Sequence, residues 1–391
     1  MPEGAQSVVQ SARSFSAKAV VRSAISFGLY HTGLMAAVRG LARSHHLEQS
    51  AVSTVPKLRN DISSKFAILC YHRIGTEGVP YFSRLEPSVF EAQMQYLRKH
   101  YRIVSLSELY AELQEGRKVE PTIAITFDDG YKDLYAHAFP VLKKYQIPST
   151  IYLIGQGMET GEAPWYDRIF AALKFASVPV LEIELNELRS FLLSSQELRN
   201  AAAWEIVCYL RSIQNSQRRT WCTEFERRYP IPPNEITSKI LNWNQVQEMS
   251  CHGVDFGAHT MTHPSVSHLE GDEFTEELVN SRKLLESRLN KEIPDFAYPF
   301  GKDTDRSEIS EQALRTAGYR SAVTTIDGYN SHGANPFQLR RFQIGNNSSM
   351  SSFAFGISRL FLECPLVKQS ENPAVEQSSL SIQNRHLSER G

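Results

Sequence analysis

The 391-residue sequence contains no pair of cysteines at close spacing. Its five cysteines, Cys70, Cys208, Cys222, Cys251 and Cys364, are odd in number and scattered. That excludes a disulfide framework and a thiolate zinc site, and leaves a reduced, cytoplasmic setting as the expectation. An excess of charge is also missing: the net charge is -1, and without a basic field no nucleic-acid partner is expected. Residues 1–16 are polar and small, with no continuous apolar core, so no secretory leader is expected. Residues 17–41 are more apolar, but Lys18, Arg22, His31 and Arg39 interrupt them. An amphipathic helix is expected there rather than a membrane span. Its face packs on the protein's own body or makes a peripheral contact with a membrane surface. There is no internal repeat.

What the sequence does have is alternation. Short apolar, β-branched runs that read as buried strands lie at 65–71, 121–127, 149–154, 254–258, 295–298, 319–324 and 339–344, with a minor one at 102–104. Helical periodicity fills 86–100, 107–115, 133–145, 272–289 and 307–317. This order predicts an α/β fold, a distorted (β/α) barrel with seven or eight parallel strands. Between 155 and 250 the rhythm changes. Helical patterns at 165–175, 187–193, 197–213 and 217–229, with little strand character, predict a helical insertion of roughly 80 residues. The expected organisation is a helical extension and linker over 1–64 and the barrel over 65–345. A C-terminal helix and a disordered Ser/Gln/Asn-rich tail follow over 346–391.

Polar residues without a structural reason collect at the strand ends. Thr126-Phe-Asp-Asp-Gly130 closes one buried strand. Two adjacent carboxylates there repel, and each needs a proton, a cation or hydrogen-bond donors; an Asp capping the next helix is the simpler alternative. His259-Thr-Met-Thr-His263 ends another strand. Two imidazoles four apart share one face if the segment turns helically, and both then reach one cation. Imidazoles with one carboxylate are a donor set for catalytic zinc. By itself such a pair is as easily a chance surface feature, but at the same barrel rim as Asp128 and Asp129 it is far stronger evidence. A third strand end runs from Tyr298 into Pro299-Phe300-Gly301, where a glycine lets backbone N–H groups approach a ligand; an ordinary turn is the alternative.

These three stretches together resemble the polysaccharide deacetylases of carbohydrate esterase family 4, the NodB-homology group. Two family motifs, TFDDG and H-[ST]-x-x-H, are complete here as Thr126 to Gly130 and His259 to His263. The resemblance implies hydrolysis of N-acetyl groups on amino sugars. It implies a divalent metal, zinc first, with cobalt, nickel or iron also accepted by such donors. Asp129, His259 and His263 are the implied ligands and Asp128 the implied general base. The backbone N–H of Phe300 is the implied oxyanion donor, with Tyr298, Pro299 and Gly301 lining the substrate. Among the aromatic residues of the insertion, Trp165, Tyr166, Trp204 and Trp243, the first two are nearest the rim, and Trp165 is the candidate sugar contact. Trp and Tyr at helical spacing more often fill a core.

The third motif, usually R-x-P-Y-G, reads Ala297-Tyr-Pro-Phe-Gly301, so the family's base-orienting arginine is absent. Arg340 or Arg341 is the candidate substitute, and only one side of that strand can face the site. The family's late L-x-H is also missing after residue 325. Ile68-Leu-Cys-Tyr-His72 precedes the Asp-Asp strand instead, which resembles the circularly permuted branch that includes poly-N-acetylglucosamine deacetylases. His72 is then the implied general acid, ahead of His268 and His332. The substrate implied is an N-acetylated sugar in a polysaccharide or its precursor. A small or lipid-linked amino sugar is one alternative, and a non-catalytic carbohydrate-binding protein, for which only Ala297 speaks, is another.

Overall fold

A computed structural model describes residues 65–76, 84–115, 121–236, 239–345 and 349–362. The helical extension expected over 1–64 and the tail beyond 362 lie outside the described residues. Strand β1 (Lys65–Tyr71) is buried along its whole length, as an unbroken apolar run requires. The chain continues through α1 (Pro87–His100), β2 (Arg102–Ile103), α2 (Leu106–Gln114) and β3 (Thr122–Phe127). A π-turn at Leu134–Ala138 leads into α3 (Phe139–Tyr145) and β4 (Ser149–Leu153). Next come α4 (Gly155–Thr160), α5 (Trp165–Phe175), β5 (Val180–Glu184), β6 (Leu188–Leu192), α6 (Gln196–Arg211), α7 (Asn215–Arg228), α8 (Pro233–Ile236) and α9 (Trp243–Ser250). Strand β7 (Val254–Ala258) is followed by a π-turn at Thr275–Val279, α10 (Asn280–Leu289), β8 (Asp295–Ala297), α11 (Glu308–Thr316) and β9 (Ser321–Val323). The short β10 (Asn330–Ser331) and β11 (Phe342–Gln343) precede α12 (Met350–Leu362).

Strands β1, β3, β4, β7, β8 and β9 are neighbours in that order and all parallel. The other edge of β1 takes β11 in parallel and β10 antiparallel. Leu339 bridges Val323 of β9. The stretch 339–343 therefore touches both ends of the parallel run and curls it into the expected barrel.

Alternation along the strands decides which side chains face inward. Phe66 and Ile68 of β1, Ala124, Tyr152, Ala297, Val323 and Leu339 form one buried cluster inside the ring. The residues between them, among them Leu69, Ile125, Ile151 and Phe296, belong to the larger core under the helices. Carrying the inward parity to the carboxyl ends selects Cys70, Asp128, His259 and Arg341. The barrel thus places its chemistry by register.

The insertion has an apolar core of its own, built on Tyr166, Ile169, Leu181, Ile206 and Phe225. It is tied to the barrel where Arg211 Nε donates to Asp305 Oδ1 at 2.8 Å. The helix expected at 187–193 is instead strand β6, paired antiparallel with β5. Leu181 is buried and Ile183 half-buried while Glu182 and Glu184 are exposed, a period of two that marks a strand. A seven-residue helix gains too little from its own hydrogen bonds to compete with such a hairpin.

Candidate active site

Asp128 leaves β3 on the inward side, its N–H donating to Tyr71 O at 3.0 Å. The next two residues, Asp129 and Gly130, both have φ of 70°. This left-handed turn, which Asp tolerates better than most residues, sends the two carboxylates in different directions. At Gly130 a Cβ would lie 2.6 Å from Leu153 Cδ2, so a side chain there would strain the left-handed turn and push Leu153 aside.

Arg341 is fully buried and grips Asp128 with a fork, Nη1 to Oδ1 at 2.7 Å and Nη2 to Oδ2 at 2.6 Å. Its Nε donates to Thr324 O at 2.7 Å, which fixes the guanidinium plane. Burial alone would raise the Asp128 carboxyl, but the Arg341 guanidinium outweighs it and holds the group well below the ordinary carboxylate range. Arg340 has the opposite parity and turns out toward Asp327 O. His72 Nε2 stands 3.9 Å from Asp128 Oδ2, and Cys70 Sγ lies 3.5 Å from the same oxygen. Burial pushes the Cys70 thiol well above its usual value, so it stays protonated as a weak donor.

Asp129 Oδ1 lies 3.5 Å from His259 Nε2 and 3.5 Å from His263 Nε2. His259 Nδ1 donates to Ala297 O at 2.7 Å, which turns the Nε2 lone pair toward Asp129. Burial, with His259 alongside, pushes His263 down to about 3, so its ring is a neutral donor. Asp129 Oδ2 is buried without a hydrogen-bond partner. Donors at a tetrahedral zinc stand about 3.3 Å apart if each bond is about 2.0–2.1 Å, close to the spacing here. The three side chains fit a divalent cation. Cys70, His72 and Asp128 form a second close group, but Arg341 already occupies both Asp128 oxygens.

The loop carrying the histidines is not helical, contrary to the expected reason for their convergence. Thr260 and His263 adopt φ of 63° and 58°, and these two bends swing the rings together. Glu277, which nothing in the sequence singles out, fastens the loop. Its carboxylate accepts Met261 N at 2.9 Å, Thr262 N at 2.8 Å and Thr262 Oγ1 at 2.6 Å.

In the third motif Phe300 and Gly301 have φ of 59° and 64°, and a Cβ on Gly301 would lie 2.6 Å from Thr325 N. The Phe300 ring stands 4.9 Å from that of His263, which places the motif at the site. Tyr298, expected to line the substrate, is buried in the core against Phe296 at 5.5 Å. Its parity is opposite to that of the inward Ala297. Trp165 is buried too, its Nε1 donating to His263 O at 3.0 Å; it braces the histidine loop. Tyr166 packs edge-on against His263 at 4.9 Å. Behind it Tyr131 donates to Asp167 Oδ2 at 2.9 Å, and burial pushes the Asp167 carboxyl up to about 6. His268 and His332 join neither group of metal-capable side chains among the described residues.

A carboxylate held ionised beside a cation-ready donor set, at the carboxyl rim of a parallel barrel, is the arrangement of a barrel hydrolase. The chain belongs to the polysaccharide deacetylase family, whose sequence model matches residues 115–322, just over half of it. It is 24% identical over 301 residues to YxkH of Bacillus subtilis, named for the same family, covering 76% of this chain and 77% of that protein. It is 32% identical over 124 residues to the poly-beta-1,6-N-acetyl-D-glucosamine N-deacetylase of Staphylococcus epidermidis. That match spans 28% of this chain and only 42% of that protein. Among solved structures, the Streptococcus pyogenes deacetylase PplD in complex with acetate superposes with a TM-score of 0.51 at 21% identity, covering 75% of this chain and 98% of that one. IcaB from Ammonifex degensii superposes with a TM-score of 0.50 at 20% identity, covering 75% and 97%. At such identities the likeness is one of fold.

Proposed function

We propose that this protein hydrolyses the N-acetyl amide of N-acetylated amino sugars in a polysaccharide or its precursor, with a divalent cation, zinc first, held by Asp129, His259 and His263. The observation that carries this reading is Asp128, kept ionised by the Arg341 fork immediately beside that donor set. When bound, the cation supplies positive charge that polarises the acetyl carbonyl and makes a nearby water more acidic. Asp128 takes the proton as water attacks the carbonyl carbon, and Arg341 keeps the carboxylate aimed. The backbone N–H of Phe300 donates to the oxyanion. His72 hands a proton to the amide nitrogen as the C–N bond breaks, releasing acetate and a free amine. The position of His72 beside Asp128 supports the permuted arrangement.

A non-catalytic, sugar-binding reading rested on the missing arginine at Ala297. Arg341 enters the same barrel interior from the segment between β9 and β1, so that support falls away. The notion of a membrane foot concerns residues outside those described; among the described residues no helix is long and apolar enough to cross a membrane. The test is acetate release from N-acetylglucosamine oligomers together with metal content. Asp128→Asn should keep the metal and lose turnover by about 10²–10⁴-fold. A wild-type protein that binds sugar but releases no acetate contradicts the reading.

A further inference from the structure

Phe300 sits in a conformation that its surroundings must enforce. Its φ of 59° is left-handed, which an aromatic residue keeps only where neighbours hold it. Among the described residues its N–H donates to no acceptor, so that donor has no competing partner. From the barrel side, Thr325 Oγ1 donates to Phe300 O and Thr325 N to Gly301 O at 2.9 Å. These bonds hold the carbonyls of the turn. The ring is held from the other side, by the insertion.

The Phe300 ring packs against the insertion's apolar core and lies edge-on to Trp165 at 6.3 Å. The guanidinium of Arg211, the last residue of α6, stands 4.8 Å from the ring centre. The same guanidinium grips Asp305, Nε to Oδ1 at 2.8 Å and Nη2 to Oδ2 at 2.5 Å. Its planar group can serve a carboxylate with its donors and an aromatic ring with its face. Asp305 is 1% exposed and gathers three segments. Its Oδ2 also accepts Lys302 N at 2.8 Å, two residues past Phe300. Its Oδ1 accepts Ser265 Oγ at 3.0 Å, two residues past His263. One buried carboxylate therefore ties the third motif to the histidine loop, and among the described residues Arg211 is its only ion-pair partner. Without Arg211, Phe300 would lose the cation beside its ring, and Asp305 the charge that balances it.

We propose that Arg211 is a positioning residue for the deacetylation: from the insertion it fixes Phe300, and with it the backbone N–H that meets the oxyanion. The proposal rests on the deacetylase reading for the task of that N–H. It makes the insertion part of the catalytic machinery, acting through Phe300 and Asp305. The oxyanion forms only as water attacks the carbonyl carbon. A displaced donor therefore slows the chemical step and leaves binding of the substrate as it was.

Acetate release from N-acetylglucosamine oligomers and backbone hydrogen exchange, both on the full-length, metal-loaded protein, test this. Arg211→Met should lower kcat at least about tenfold, part of the roughly 10²–10³-fold cost of deleting an oxyanion donor. KM should stay within about twofold, and metal content should not change. Exchange over 298–305 should quicken at least about tenfold while that over β1 keeps the wild-type rate. Arg189→Met, which breaks an exposed ion pair inside the insertion, should alter none of these. Should Arg211→Met fail to fold, Arg211→Lys decides. It keeps a charge for Asp305 but not the fork, and kcat should still fall at least about threefold at unchanged KM. A rise in KM at constant kcat, an unchanged kcat, or exchange quickened equally over 298–305 and β1 overturns the proposal. A wild type that releases no acetate overturns the deacetylase reading instead, and exchange over 298–305 then decides alone whether Arg211 holds that segment.

Discussion

Arg341 Nη1 and Nη2 meet Asp128 Oδ1 and Oδ2 at 2.7 and 2.6 Å, a two-point ion pair between residues 213 positions apart. Neither group has solvent to fall back on. Arg341→Lys keeps the charge but not the fork, and should lower turnover about 10²-fold, the cost of a base displaced by about an ångström, with metal content unchanged. Arg341→Met should also destabilise the protein by about 3–5 kcal/mol, as when one partner of a buried pair is removed. Steady-state kinetics and denaturant unfolding read the two effects separately.

The same pair fixes a pH dependence. The Asp128 carboxyl lies lower in the folded chain than its unfolded value near 4. Its contribution to stability is therefore complete above about pH 4 and is lost as pH falls below that. Unfolding free energies of the wild type should drop through this acid range, and those of Arg341→Met should drop less steeply. Parallel slopes for the two proteins would contradict the assignment.

Asp167 should behave in the opposite sense. Its carboxyl is pushed up to about 6 by burial, above the unfolded value near 4. The folded chain then holds the proton more tightly, and stability falls as pH rises from about 4 through 6. Asp167→Asn keeps an acceptor for Tyr131 and removes the buried charge. In chelator-treated protein it should be more stable than wild type at pH 8 by about 1–3 kcal/mol, with the advantage gone near pH 4.

How much of this was legible in the sequence differs residue by residue. Asp128, Asp129, His259 and His263 announced themselves because acids and imidazoles at the ends of apolar strands have no packing reason to be there. Strand parity accounts for several of the others. It chooses Arg341 over Arg340, turns Tyr298 into the core because Ala297 faces inward, and brings Cys70 to the site two residues before His72. The β5–β6 hairpin carried a two-residue period too short to stand out among long helical patterns. Glu277 was beyond reach, since a carboxylate that accepts three hydrogen bonds from a distant loop looks in sequence like any surface acid of a helix.

Parity also predicts what restoring the family's arginine would do. Ala297 is fully buried among Tyr152, Val323 and Leu339, and Arg341 already fills the interior above it. Ala297→Arg should overpack the barrel and lower thermal stability, by about 1–3 kcal/mol or more. Combining it with Arg341→Ala should recover part of the lost stability and activity. Additive losses would contradict the idea that the two positions share one role.

His72 stands 3.9 Å from Asp128 and is the proposed proton donor to the leaving amine. His72→Gln should reduce kcat by about 10²–10⁴-fold and leave metal content unchanged. An unchanged kcat would assign the acid elsewhere.

The most direct measurement is anomalous diffraction from crystals grown with one equivalent of zinc. A single peak about 2.0–2.2 Å from Asp129 Oδ, His259 Nε2 and His263 Nε2 is the expected result. A peak among Cys70, His72 and Asp128 instead, or no peak beside Asp129, would contradict a cation shared by those three side chains with Asp128 as its neighbouring base.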